Sequence, residues 1–155
     1  MYGSVKVWQE IISLPTWTTG AEDPNPMFLE KRVYQGSSGS VYPYGVIDTL
    51  TGEREMRDYQ AVWMENDFLR VMLLPELGGR IHRAYDKVKQ RDFVYYNEVV
   101  KPALVGLLGP WISGGIEFNW PQKHRPTTFK PDAFSNQQGE NGARFAGYGR
   151  VYALS

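Results

Sequence analysis

The segment from residue 59 to residue 74 constrains the fold most, because it holds two runs of strand-forming residues around one turn signal. Residues 59–65 and 68–74 are rich in aliphatic, β-branched and aromatic side chains, and Asn66-Asp67 lies between them. A polar pair between two such runs is typical of a short hairpin loop, although the second position lacks the usual glycine. The pattern therefore predicts an antiparallel β-hairpin.

Much of the remaining chain has the same texture, with apolar residues at alternate positions and turns rich in Gly, Pro, Asn, Asp and Ser. Turns are expected at residues 35–40 and 51–53. Further strands are predicted near the N-terminus from Val5 to Leu14, and over residues 27–34, 41–50, 80–86 and 92–96. Many short antiparallel strands predict an all-β fold, an antiparallel β-sandwich.

A chain of 155 residues fits one domain with a buried core. We expect a single β-sandwich over residues 1–155, with N-terminal strands over 1–40 and an antiparallel meander over 41–101. An irregular connection over 102–111 opens a candidate site loop at 102–130, and a polar surface loop follows at 131–145. A strand is expected again near Ala146 or Gly149. Residues 150–155 resemble a strand cut in its middle, so the domain is expected to be incomplete at its C-terminus.

Charge and composition exclude several classes of function. Seventeen basic and seventeen acidic side chains give a formal charge of zero, which disfavours nucleic acid and anionic membrane partners. The sequence has no cysteine and only two histidines without metal-ligand spacing, so no disulfide, metal or other cofactor is expected. Calcium bound by carboxylates and backbone oxygens is the alternative that these residues leave open. It contains neither a phosphate-binding loop nor a nucleophile elbow. Residues 1–10 do not resemble a secretory signal, and the expected location is the cytoplasm.

Residues 114–126 have the sequence GGIEFNWPQKHRP and contain the densest group of polar and aromatic side chains. They combine a carboxylate, two amides, an imidazole, a guanidinium and an indole. Sugars present hydroxyls that need paired donors and acceptors, and a C–H face that stacks on aromatic rings. The segment therefore predicts a sugar-binding cleft, whereas the alternative is a turn, a short strand and a loop bounded by proline.

Individual side chains in this segment have two interpretations. In the strand interpretation Ile116 and Phe118 point inward, and Glu117 and Asn119 share the opposite face, where they could converge on one ligand. Glu117 is then a ligand-facing carboxylate or an ordinary solvent-facing one. Trp120 is either a stacking platform for a pyranose or a lid on the core. The predicted substrate-binding residues are Arg80, Glu117, Asn119, Trp120, Gln122 and His124.

The roles of the two histidines and of Arg80 also have two interpretations each. His124 lies in a polar loop and is either a sugar contact or a surface histidine. Arg80 either holds a hydroxyl or carboxylate or forms an inter-strand ion pair. His82 lies on the face of Arg80 in the predicted strand, but a lone strand histidine is more often structural.

Residues 68–81, which end in Leu-Pro-Glu-Leu-Gly-Gly-Arg-Ile, resemble the opening of the galactose mutarotase-like supersandwich, as do residues 85–87 and 93–95. The two glycines supply a sharp link between adjoining strands. Residues 14–17 and 114–126 resemble more closely the family catalogued as domain of unknown function 5107. Its members are typically the N-terminal part of large bacterial proteins that continue into tetratricopeptide repeats.

The resemblance implies a carbohydrate-binding or carbohydrate-active domain of a larger bacterial protein. In mutarotases a carboxylate and a histidine exchange protons with the sugar. That carboxylate comes late in the family's chain, so Glu117 and His124 are only weak catalytic candidates here. The alternatives are epimerase or glycoside hydrolase activity in the intact parent, and an interaction module that docks on a repeat domain. The expected partners are a carbohydrate, the C-terminal half of the sandwich or the repeat domain, or a second copy bound through open strand edges.

Overall fold

Antiparallel strands provide nearly all of the regular structure in the computed structural model of this chain. It describes residues 5–23, 47–104 and 110–118, and then 121–122, 125–126, 129, 131, 133–138 and 144–149. A short 3₁₀ turn spans Pro75–Leu77. The strands are β1 (Lys6–Thr19), β2 (Leu50–Glu65), β3 (Leu69–Leu74), β4 (Arg80–Asp86), β5 (Arg91–Asp92), β6 (Pro102–Leu104), β7 (Pro110–Ile112), β8 (Pro121–Gln122), β9 (Arg125–Pro126), β10 (Ala133–Gln138) and β11 (Arg144–Gly149).

Five strands form the main sheet in the order β1-β2-β3-β4-β5, and every neighbouring pair is antiparallel. Strands β6 and β7, β8 and β9, and β10 and β11 pair as three separate two-stranded sheets. The predicted all-β, antiparallel fold is confirmed. Within the described residues, no helix has the length and hydropathy needed to cross a bilayer.

The predicted hairpin is present, with its turn one residue later than expected. The Asn66 amide donates to the Leu69 carbonyl at 3.0 Å, so Asp67 and Phe68 form the centre of the turn. The Asn66 side-chain oxygen accepts hydrogen bonds from the amides of Phe68 and Leu69, at 2.9 and 2.8 Å. This side-chain cap stabilises the turn without a glycine, because neither central residue takes a positive φ.

Apolar side chains cover both faces of the central strands. One cluster includes Tyr59, Ala61 and Met72, and the other includes Val62 and Leu73. Successive strand residues point to opposite faces, so adjacent residues on β2 and β3 enter different clusters. The centre of the sheet is therefore buried on both sides, as in a sandwich core.

Three local predictions in the first two-thirds of the chain are wrong. Residues 51–53 belong to β2 instead of a turn, because β1 continues to Thr19 and pairs with Leu50 past a bulge. Residues 47–49 lie outside any strand, although a strand was expected over 41–50. The strand expected at 92–96 ends at Asp92. After the Phe93 amide bonds to the Ala84 carbonyl at 3.0 Å, the chain leaves the sheet edge.

Two segments predicted to be irregular contain hairpins. Residues 102–111 include β6 and most of β7, which pair across a connection outside the described residues. The expected polar loop at 131–145 contains β10 and the start of β11, and β11 begins at Arg144, before the strand expected near Ala146. Polar and Gly-rich strands are not predicted from an alternating apolar pattern, because hydrogen bonds to a partner strand hold them extended. The segments 27–34, 35–40 and 150–155 lie outside the described residues.

Candidate functional site

The Gly78-Gly79 link brings Arg80 to the start of β4. After β3, the chain forms the 3₁₀ turn and then reverses through Gly78 and Gly79, whose φ angles are 72° and 63°. A side chain in this left-handed region is strained, which explains the requirement for glycine. The first residue of β4, Arg80, pairs with Leu74 and points into the protein.

A second glycine pair, Gly114-Gly115, docks against β4. The Gly115 amide donates to the Tyr95 carbonyl at 2.8 Å. Ile116 and Ile81 exchange two backbone hydrogen bonds, at 2.8 and 3.0 Å, as an antiparallel bridge. Because antiparallel neighbours run in opposite directions, this bridge places residue 117 beside residue 80 and residue 115 beside residue 82.

Arg80 is 2% exposed and has the largest of the fully buried side chains in the part of the chain that the structure describes. Its Nη2 atom donates to the Ile112 carbonyl at 3.1 Å and to the Gly114 carbonyl. The Nε and Nη1 atoms donate to no acceptor among the described residues. Burial lowers the pKa of Arg80, and the nearby Glu117 carboxylate raises it. A guanidinium nevertheless stays charged at neutral pH.

His82 lies beside Arg80 on the same face of β4 and is 1% exposed. Burial, and secondly the positive charge of Arg80, lower the pKa of His82 to about 4, so the imidazole is neutral at pH 7. Neither ring nitrogen has a well-formed hydrogen bond with a described residue. The Asn97 backbone lies near enough to raise the pKa of His82 slightly against these two effects.

The Tyr96 ring packs against one side of the His82 imidazole. Its ring lies edge-on to His82, with centroids 5.6 Å apart and an interplanar angle of 87°. The Arg83 guanidinium lies 4.7 Å from the centroid of Tyr96 and donates from Nε to Asp92 at 2.9 Å. These contacts fix the Tyr96 ring against His82, and the backbone of Gly115 also lies close to the Cα atom of His82.

Two of the six predicted binding residues, Arg80 and Glu117, are brought together by the structure. Gln122 lies on β8, and Asn119, Trp120 and His124 fall outside the described residues. Glu117 faces opposite to Ile116 and Phe118, as predicted, but the inward placement of Ile116 and Phe118 in the strand interpretation is wrong. Ile116 and Phe118 are 36% and 46% exposed, whereas the Glu117 Oε2 atom is shielded from solvent. A single bridge at Ile116, in place of a full strand, sets which side chain faces inward.

The sequence favoured a structural role for His82 over a functional one and did not single out Tyr96 or Asn97 for the site. Period-two spacing from Arg80 was the available signal for His82. Tyr96 and Asn97 lie outside any strand in the segment after β5, where no period identifies a face. Among the described residues, no group of three His, Cys, Asp or Glu side chains could hold a metal ion.

Together, these strands and the buried polar cluster define an all-β domain with one candidate site at the start of β4. Residues 37–153 match the family described as Domain of unknown function (DUF5107), and the chain belongs to that family. The resemblance to galactose mutarotases stays a prediction.

The same fold is found in a solved structure. It is the crystal structure of a TPR-domain containing protein from Parabacteroides distasonis ATCC 8503, with a TM-score of 0.73 and 20% sequence identity. The similarity covers 91% of the present chain but 23% of that protein. At this identity the comparison establishes the fold alone.

Gly115 should tolerate alanine much less well than Gly52. Both have positive φ, 65° and 77°, but a Cβ at residue 115 would lie 2.1 Å from the Ile81 carbonyl oxygen, whereas residue 52 has open space. We expect Gly52→Ala to cost about 1 kcal/mol of unfolding free energy, and Gly115→Ala about 3 kcal/mol. Urea denaturation measures both. Equal losses would contradict the close approach of Gly115 to β4.

His82 should make stability fall as the solution becomes acidic. Its pKa is about 4 in the folded chain and about 6.5 when unfolded. The unfolded chain therefore binds the proton first, and the stabilisation present above pH 6.5 is lost progressively down to about pH 4. Between pH 7.5 and pH 5, we expect a loss of about 2 kcal/mol from this group. In His82→Phe, urea denaturation should show a correspondingly smaller loss, and an unchanged pH dependence would disprove the assignment.

Proposed function

We propose that this chain is a carbohydrate-binding domain whose ligand contacts the Arg80, His82 and Glu117 side chains. The observation that carries the proposal is the Arg80 guanidinium, buried with two nitrogens that have no described acceptor. A buried donor without a partner costs about 1–3 kcal/mol, so such groups are usually satisfied by a ligand, water or further protein atoms.

The chemistry of the three side chains suits a hydroxylated ligand. Each sugar hydroxyl donates one hydrogen bond and accepts others. Arg80 supplies donors, Glu117 supplies acceptors, and the neutral His82 ring supplies one of each. The three therefore match hydroxyl groups better than a purely apolar or purely anionic ligand.

The residues that follow Glu117 extend the proposed site. Asn119, Gln122 and His124 would add polar contacts, and Trp120 would stack on the C–H face of a pyranose. Epimerase or glycoside hydrolase activity belongs to the proposal only for the intact parent protein, where a second proton-transfer group could meet Glu117.

Trp120→Ala should abolish or strongly weaken sugar binding. Saturation-transfer NMR on the 155-residue chain, with a panel of neutral monosaccharides and oligosaccharides, measures it. We expect at least about tenfold weaker binding in the variant, because the C–H face of the sugar can no longer stack on the indole ring. Trp17→Ala is the matched control, since the Trp17 ring already contacts two cations of the chain, Arg54 at 5.7 Å and Lys101 at 5.2 Å from its centroid. If the folded wild type binds no glycan in the panel, the proposal fails.

A second candidate function is an interaction module, and a set of exposed apolar side chains favours it. The Gly115 amide bonds to the Tyr95 carbonyl, so residues 93–95 and 116–118 belong to neighbouring segments. The exposed fractions in these segments are 51% for Phe93, 71% for Tyr95, 36% for Ile116 and 46% for Phe118. Large exposed apolar groups often mark interfaces. The occupant we propose is a neighbouring domain, such as the repeats of a TPR-domain containing protein.

If that surface is normally covered, the isolated chain should associate with itself through it. Sedimentation equilibrium over a range of concentrations should show oligomers for the wild type and a shift to monomer for a Tyr95→Ser, Phe118→Ser double variant. Met56→Ser and Val88→Ser together are the control, because those side chains are 64% and 70% exposed on β2 and after β4. A wild type that stays monomeric throughout would rule against this interface.

A further inference from the structure

We propose that the site selects uncharged sugars over uronic acids and sugar phosphates, with Glu117 as the residue that sets this specificity. This inference rests on the proposed sugar-binding function and deepens it. It depends on how the Arg80 guanidinium is already engaged and on which charge lies beside it.

The geometry of the Arg80 guanidinium disfavours an anionic ligand. An arginine grips a carboxylate or phosphate with two parallel N–H groups, either from Nε and Nη2 or from Nη1 and Nη2. Both pairs include Nη2. In this chain Nη2 donates to two backbone carbonyls, those of Ile112 and Gly114, which occupies both of its hydrogens. Neither pair of N–H groups can then bind an anion in a bidentate manner unless Nη2 loses its hydrogen bonds to the Ile112 and Gly114 carbonyls.

The donors that remain favour separate, single acceptors. Nε and Nη1 point from different edges of the guanidinium, and neither has an acceptor among the described residues. Two different hydroxyl oxygens of one sugar ring can satisfy them, whereas the two oxygens of one carboxylate cannot reach both. The arrangement therefore matches a polyol.

The charge beside Arg80 also disfavours an anionic ligand. The Glu117 carboxylate lies near enough to Arg80 to raise its pKa, and the Glu117 Oε2 atom is shielded from solvent. It offsets the positive charge that would otherwise attract an anion. Two other titratable groups near Arg80, both in the part of the chain that the structure describes, leave this balance of charge unchanged. His82 is neutral at pH 7, and the Arg83 guanidinium is paired with Asp92. An anionic ligand group would meet the Glu117 carboxylate with little compensation.

The experiment compares matched ligand pairs on the folded 155-residue chain. Isothermal titration is run with methyl β-glucoside against methyl β-glucuronide, with the corresponding galactose pair, and with glucose 6-phosphate. We expect the neutral member to bind at least about tenfold more tightly than its anionic partner. In Glu117→Gln the ratio should shrink to about threefold or less, because the anion gains affinity. The control Glu55→Gln removes an exposed carboxylate on β2 and should leave the ratio unchanged.

The outcomes separate the two claims. If the wild type binds sugars and prefers the uronides or the phosphate, the inference is overturned while the sugar-binding function stands. If no sugar binds to the folded wild type, both fail. An unchanged ratio in a folded Glu117→Gln removes Glu117 from specificity. Should that variant not fold, the wild-type ratio alone still decides whether the site selects neutral sugars.

Discussion

The close approach of Gly115 to β4 is the contact on which the candidate site depends. Two backbone hydrogen bonds between Ile81 and Ile116, and one from Gly115 to Tyr95, join three parts of the chain that are distant in sequence. A side chain at residue 115 would overlap the Ile81 carbonyl. The bridge also sets the register, so that Glu117 meets Arg80 and the turn carbonyls meet the guanidinium.

The largest energetic cost of this arrangement is the desolvation of the buried Arg80 charge, which neighbouring groups offset in part. Arg80 is withdrawn from water, and two carbonyl acceptors and the Glu117 carboxylate offset part of the desolvation cost. The same positive charge helps keep the His82 ring neutral. The result is a cluster with one cation, one anion and one neutral imidazole, which combines several hydrogen-bonding groups without a large net charge.

Local sequence patterns predicted the elements that local physics controls. The hairpin around Asn66 was predictable because its capping side chain and its flanking apolar runs lie within one short segment. The Gly78-Gly79 link was predictable because only glycine readily adopts its backbone angles. The short paired strands at 102–104 and 110–112 were not, because proline, glycine and small residues carry no clear period, and a partner strand is needed to hold them extended.

The amino-acid sequence by itself determined the all-β class, the central hairpin, the two glycine pairs and two of the residues that meet at the site. Those features follow from side-chain period, turn chemistry and backbone freedom, which act over a few residues. The tertiary structure decided that Glu117 faces inward while Ile116 and Phe118 are exposed, and that His82 and Tyr96 join Arg80. Those facts depend on a backbone bridge between residues 81 and 116, and no local pattern specifies which distant carbonyl an amide will bind.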